Sequence, residues 1–383
     1  MRDPMDIATV DTLSAIQSHA KAWLFNAAAP LWSTKGVLQD GMFAERLSLE
    51  GEPQTSLSRR LRVQARQIYA FSTIGRLGWD GPWQAVTQRA MSVMLETGLN
   101  PNGLFVHMYG PDGSVTNRSA DLYDHAFGLF ALAHAARAQN KPEYLTRAAH
   151  IRDIMLQTWW RKEGGFWEGE LTLCPPYRQN PHMHMFEAAI IHFELTGDQA
   201  WRDLADRLYD LFVSRFFEAD SGAVTEYFDR DWNRLPPGEG DIVEPGHCLE
   251  WAWLFEVGVP SGRGVAVAEA LSGFALRYGI DASKGVAINE VYLDGRVRDA
   301  AARLWPQTER LKAGIVRHRR IATRDTESEI INAYHGLWRY LDIPTKGVWR
   351  DRMNADGTWV EEAAPASSFY HIVCALDQLL SMA

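Results

Sequence analysis

Three histidines each follow closely on a proline able to open a helix: His184 in Asn180-Pro181-His182-Met183-His184, His247 in Glu244-Pro245-Gly246-His247, and His371 in Pro365-Ala366-Ser367-Ser368-Phe369-Tyr370-His371. An imidazole titrates near neutrality, so it can take a proton from carbon and return one within a single turnover. Polar groups of other kinds stand in similar contexts. Glu250 follows His247 by one helical turn, Trp305-Pro306-Gln307-Thr308-Glu309 repeats the proline theme, and Arg66 lies among apolar residues in Arg62-Val63-Gln64-Ala65-Arg66. Tyr123 and His125 complete the set. His182 and His184 are two residues apart and point to roughly opposite sides of a helix, so one of them is expected to be structural. Asn180 as cap and Pro181 at the first helical position would put His184 in the first turn, which assigns it to the site.

These residues recur in register. Six glycines open similar segments, Gly41-Met42-Phe43, Gly103-Leu104-Phe105, Gly165-Phe166-Trp167, Gly222-Ala223-Val224, Gly285-Val286-Ala287 and Gly347-Val348-Trp349, at a spacing of 57 to 63 residues. A fixed period of this length marks a repeat architecture. Several segments alternate apolar and polar residues before a turn signal, as at Asp112-Gly113, Asp294-Gly295 and Asp356-Gly357, which predicts short hairpins. Between them the spacing is helical, for example Leu122, Ala126, Leu129, Phe130 and Ala133. Six units of two helices and a hairpin predict an all-α fold, an (α/α)6 barrel of six inner and six outer helices in a single domain over residues 1–383. Helices near 11–25 and 368–380 would close the ring. Arg66, Tyr123, His125, His184, His247, Gln307, Glu309 and His371 fall 19 to 25 residues after their glycines and would converge at one mouth. His19, His150, His192, His318 and His335 fall outside that register and are read as surface or packing residues.

The chain has 383 residues, with 39 Lys+Arg against 48 Asp+Glu and a net charge of -9, so nucleic acid is not an expected partner. Cys174, Cys248 and Cys374 lack CxxC spacing, which argues against a disulfide framework or a cysteine zinc site and for a reducing compartment. Met1 to Asp6 carries acids and a proline where a secretory signal would be basic and then apolar, and no apolar run reaches the length of a membrane span. A cytoplasmic location with no membrane partner is expected. The outer faces of such a ring leave a homodimer open.

The motifs Arg62-Val63-Gln64-Ala65-Arg66, Asp121-Leu122-Tyr123-Asp124-His125-Ala126-Phe127, Asn180 to His184, Glu244 to His247 with Glu250-Trp251-Ala252-Trp253, Trp305 to Glu309 and Ser367 to His371 resemble the N-acylglucosamine 2-epimerase superfamily over nearly the whole chain. The resemblance is greatest to its mannose isomerase and sulfoquinovose isomerase branch. It implies the same barrel and a cofactor-free, metal-free proton transfer at C2 of a monosaccharide. By the same resemblance His247 and His371 are catalytic, His184 is a third site histidine, Arg66 binds the substrate, and Tyr123, Asn180 and Glu250 contact the sugar or support the histidines; Trp305 and Glu309, from their own proline motif, are further expected substrate-binding residues. The expected reaction is interconversion of D-mannose and D-fructose through a cis-enediol, with 2-epimerisation of an N-acylglucosamine or cellobiose as the alternative outcome of the same site. Three rivals stand beside it. A glycoside hydrolase would draw a carboxylate pair about 5–9.5 Å apart from Glu226, Asp229, Glu244, Glu250 and Glu309, a metal-dependent isomerase would bind zinc through the three histidines, and a binding toroid would not turn over. No phosphate-binding glycine loop is present.

Overall fold

The computed structural model describes residues 10–259 and 262–382; the Met1 to Asp6 segment lies outside the described residues. In chain order the helices are α1 (Leu13–Trp23), α2 (Ala29–Thr34), α3 (Leu61–Arg76), α4 (Trp83–Glu96), α5 (Leu122–Gln139), α6 (Glu143–Thr158), α7 (Asn180–Thr196), α8 (Gln199–Leu211), α9 (Pro245–Gly258), α10 (Val265–Tyr278), α11 (Leu304–Arg320), α12 (Arg324–Leu341) and α13 (Ser367–Leu380). α3, α5, α7, α9, α11 and α13 pack side by side, and α13 closes back onto α3. The remaining helices lie outside them, α1 against α12 and α13, so the architecture is the closed (α/α)6 double ring. Helix composition follows position. The first eleven residues of α9, Pro245 to Phe255, are all buried, as an inner helix covered on every side must be. α8 instead buries one stripe, Trp201, Leu204, Ala205 and Leu208, and gives its other face to water. Among the described residues no helix is long and apolar enough to cross a membrane.

The repeat glycines are explained by backbone geometry. All six, Gly41, Gly103, Gly165, Gly222, Gly285 and Gly347, have φ between +69° and +97°, a region that L side chains rarely adopt. At Gly347 space forbids a side chain as well, because a Cβ would lie 2.7 Å from the Ala27 carbonyl oxygen.

The predicted hairpins form, and they also join neighbouring units. Arg59–Arg60, just before α3, pairs with Met108–Tyr109 of the next unit, and Met108–Tyr109 pairs in turn with Val115–Asn117. Tyr177–Arg178 pairs with Tyr227–Phe228, Ile242–Val243 with Glu290–Tyr292, and Ala302–Arg303 with Arg352–Met353. A single bridge, Asp121 to Gly169, serves the second junction, and Arg46–Leu47 with Ala364–Pro365 closes the last on the first. Each staple sits immediately before an inner helix, so it holds the six helix N-termini around one mouth. Peptide dipoles at those N-termini favour negative charge there.

Two local expectations are corrected. α7 starts at Asn180 itself with no side-chain cap, so Asn180 is a helical residue whose amide is free to reach sideways. The N-terminal helix begins at Leu13, capped by Thr12, and passes through a π-helical turn at Leu24–Ala28 into α2. Cys248 and Cys374 are buried, Cys174 is exposed, and all three are free thiols.

Candidate active site

At the mouth defined by the inner helix N-termini lies a polar cavity of about 240 Å³. Arg66, Tyr123, Asn180, His184, His247, Glu250, Trp305 and His371 all line it. Glu309 stands one layer behind, fully buried against His371. Eight of nine expected residues therefore meet at one surface, drawn from α3, α5, α7, α9, α11 and α13.

Each histidine is oriented through Nδ1 by a buried carboxylate. His371 Nδ1 lies 2.9 Å from Glu309 Oε1, His247 Nδ1 2.9 Å from Glu226 Oε2, and His184 Nδ1 3.1 Å from Glu187 Oε2. Such pairing fixes the ring and leaves Nε2 as the working nitrogen. Trp305 lies between the two outer rings, its centroid 4.9 Å from His247 and 5.8 Å from His371.

The environments drive the histidines apart in charge. Burial pushes His247 down, but Glu226 and Glu244 outweigh it and hold the imidazole protonated, with a pKa raised to about 9. Burial also pushes His371 down, and there Arg66, Lys312 and His184 add to it, so this ring is neutral, well below the usual histidine range. His184 is lowered to about 4, by burial first, against the pull of Glu187. Two titratable groups at one cavity with opposite protonation can serve as a general acid and a general base. Asn180 fits this state. Its amide meets His247 Nε2 at 3.1 Å while its Oδ1 is buried without a partner, and turning the amide over lets Oδ1 accept from the Nε2–H of an imidazolium.

Arg66 supplies fixed positive charge. Its Nη2 donates to Tyr123 Oη at 2.7 Å, and its guanidinium lies 4.1 Å over the Phe127 ring. Burial raises the pKa of Glu250 well above the usual carboxylate range, with repulsion from Glu309 adding to it, so Glu250 faces the cavity as a neutral acid and hydrogen-bond donor.

Two donor sets are close enough to hold a metal, Glu226 with Glu244 and His247, and Glu250 with Glu309 and His371. Each already has a side-chain cation. Arg303 Nη2 is 2.9 Å from Glu244 Oε2, and Lys312 Nζ is 2.6 Å from Glu309 Oε2. A divalent ion would have to compete with an ammonium or guanidinium held on the same oxygen.

Several contributors were not singled out for the site on sequence. Glu187, Lys312, Arg303, Asp351, Ser367 and Ser368 are among them, Glu226 reads only as a hydrolase carboxylate, and Glu244 reads as that and as part of the His247 motif. A second register would have found some of them. The position three or four after each repeat glycine carries a polar residue that braces the first turn of its own inner helix or the strand just before it: Glu45 on Arg60, His107 on Asp124, Glu168 on Arg178, Glu226 on His247, Asn289 on Arg303 and Asp351 on Ser368. Conversely, His125 and Gln307 share the converging offsets yet serve the backbone. Phe105 N donates to His125 Nε2 at 2.8 Å and Ala287 N to Gln307 Oε1 at 2.7 Å, just as Phe43 N does to Gln64 and Phe166 N to His182. His182 is therefore structural. His19 and His192 are packing residues, against Tyr334 and Trp201 respectively.

The sequence model of the N-acylglucosamine 2-epimerase (GlcNAc 2-epimerase) family matches residues 41–375. Mannose-6-phosphate isomerase of Rhizobium meliloti (strain 1021) is 40% identical over 372 residues, covering 93% of this chain and 95% of its own. D-mannose isomerase of Thermobifida fusca is 27% identical over 281 residues, covering 64% and 67%. Among solved structures, cellobiose 2-epimerase from Spirochaeta thermophila DSM 6192 superposes with a TM-score of 0.85 at 22% identity over 96% of both chains.

Proposed function

The chain belongs to the N-acylglucosamine 2-epimerase family, and on that premise we propose that it is an aldose–ketose isomerase converting free D-mannose to D-fructose, acting as one catalytic unit. The observation that carries the reading is the pair of carboxylate-backed histidines of opposite charge, His247 and His371, across one small polar cavity. His247 gives its Nε2 proton to the ring oxygen as the C1–O5 bond opens and takes the O1 proton in exchange, leaving the open-chain aldehyde. His371 Nε2 then removes the C2 proton. The charge that develops on O1 is met by Arg66 and the converging helix N-termini. The O2 proton passes to O1 within the cis-enediol, and His371 returns its proton to C1 as the C2 carbonyl forms. Glu250, Tyr123 and Asn180 hold hydroxyls, and Trp305 forms an apolar wall for the sugar between the histidines.

Cavity size and charge support a free monosaccharide. About 240 Å³ is below the ~300–1,000 Å³ typical of sites for drug-sized ligands and is scant for a disaccharide. The carboxylates of Glu244 and Asp351 line the cavity and Arg303 is already paired with Glu244, a balance that disfavours a sugar phosphate.

The test is carbon and proton NMR with D-mannose in D2O, chelator present, following product and deuterium together. Fructose, with deuterium at C1 wherever the transferred proton exchanges, is expected. Glucose labelled at C2 would overturn isomerisation in favour of epimerisation, and preferential turnover of mannose-6-phosphate would overturn the substrate while leaving the proton chemistry intact.

The two histidines also fix a pH profile. His371 is neutral throughout the working range, so kcat/KM should be flat through neutrality and fall on the alkaline side as His247 loses its proton near 9. Glu226→Gln removes a carboxylate that holds that proton, so its alkaline limb should move toward neutral pH. An unmoved limb would separate His247 from the reaction.

A further inference from the structure

A second cavity, of about 740 Å³, lies between α11, α12, the hairpin of Ile280–Asp281 and Val286–Ala287, and the segment from Arg350 to Trp359. It shares no lining residue with the candidate active site. In a chain of net charge -9 it is conspicuously basic: Lys284, Arg310, Arg339 and Arg350 line it, and Asp342 is the sole lining carboxylate among the described residues.

The existing ion pairs leave most of that charge uncompensated. Lys284 pairs with Asp281 at 2.8 Å, and Asp342 is taken by Lys346 at 2.8 Å. None of the three arginines has a carboxylate within ion-pair distance among the described residues, the nearest acid influencing Arg310 being Glu329, which is itself paired with Arg317 at 2.8 Å. Arg310 is nine-tenths buried, with Nη1 donating to the Gly285 carbonyl at 2.9 Å and Nε left without a partner. Trp338, 2% exposed, has an unpartnered Nε1, and Arg350 an unpartnered Nε. A buried guanidinium without a counter-charge, beside a cavity lined by three further cationic side chains, is a costly feature that an anion would relieve. Guanidinium groups meet phosphate and carboxylate oxygens through forked, charge-assisted hydrogen bonds.

We propose that this cavity is a binding site for a small polyanion, a metabolite carrying at least two phosphate or carboxylate charges, gripped by Arg310, Arg339 and Arg350. The site lies outside the isomerase chemistry. α11 joins the two, since Arg310 follows directly on Glu309, so an anion here ties down the helix that orients His371.

Inorganic pyrophosphate and citrate are the probes, added to protein purified in chloride buffer at matched ionic strength, with binding read by isothermal titration calorimetry and thermal unfolding. One-site binding is expected, with a melting temperature that climbs with the logarithm of ligand concentration. Preference for pyrophosphate would name phosphate as the recognised group, and preference for citrate carboxylate. Arg310→Gln and the half-buried, more tolerant Arg350→Gln should each weaken binding by about tenfold or more, while Arg296→Gln, on a separate hairpin, should leave it unchanged. No binding of either anion beyond the chloride control, or binding that survives Arg350→Gln and Arg310→Gln intact, would overturn the proposal.

Discussion

Replacing His371 with Asn should lower turnover of mannose by about 10²–10⁴-fold, the range expected when a positioned general base is lost, with KM nearly unchanged. His371 is the ring that Glu309 holds through Nδ1 and that burial, Arg66, Lys312 and His184 keep neutral, so its Nε2 lone pair is the free base at the cavity. Asn is smaller, but its amide nitrogen stands where Nδ1 did and can still donate to Glu309, which keeps the fold out of the comparison; circular dichroism and thermal unfolding should stay close to the parent. A more discriminating readout separates the two histidines. On the proposed division of labour ring opening falls to His247, so the His371→Asn enzyme should still speed interconversion of the mannose anomers, measured by exchange NMR, while exchange of the C2 proton with solvent disappears. Near-normal isomerisation in this variant would remove His371 from the base role, and loss of anomer exchange along with it would show that the two steps are not divided as proposed.

Arg66→Met should cost about 10²–10³-fold in kcat, the usual consequence of deleting one preorganised charge-stabilising donor. The guanidinium is held rigidly, by Tyr123 Oη at 2.7 Å and by the Phe127 face at 4.1 Å, so it needs little rearrangement as the enediolate forms. Met preserves most of the side-chain length and removes the charge. The pH profile carries the distinguishing sign. Arg66 is among the groups that depress His371, so its removal makes the imidazolium less unfavourable, raises that pKa and moves the acid limb of kcat toward neutral pH. A variant that loses activity with an unmoved acid limb would point to loss of packing rather than loss of charge.

Both effects depend on a buried charged layer behind the cavity. Lys312 is fully buried, 2.6 Å from Glu309 Oε2, 4.0 Å from Glu250 Oε1 and 3.7 Å from the Trp253 ring centroid. Breaking one member of such a cluster leaves another buried charge unpaired. The ammonium allows Glu309 to serve His371 as a carboxylate despite the burial that pushes its pKa up.

The amino-acid sequence by itself determined the ring and where its inner helices begin. Glycine is needed wherever φ must be positive, so six left-handed positions left a 57–63-residue period in plain view, and the prolines and turn dipeptides between them marked where inner helices begin. What the repeat period alone could not resolve was which polar residue of each unit faces the cavity; the helix-start context of His184 and the family resemblance supplied that choice. Gln64 and Arg66, His182 and His184, and Gln307 and Glu309 are two residues apart, about 200° around a helix. One of each pair serves the loop backbone and the other reaches toward the centre, and only the packed ring decides which way each helix is turned. The charge states were likewise beyond a one-dimensional reading. His247 and His371 are the same residue in similar contexts, yet one is held protonated by Glu226 and Glu244 and the other neutral by burial, Arg66 and Lys312. These partners come from other helices and loops, and they act strongly because folding removes the water that would otherwise screen them.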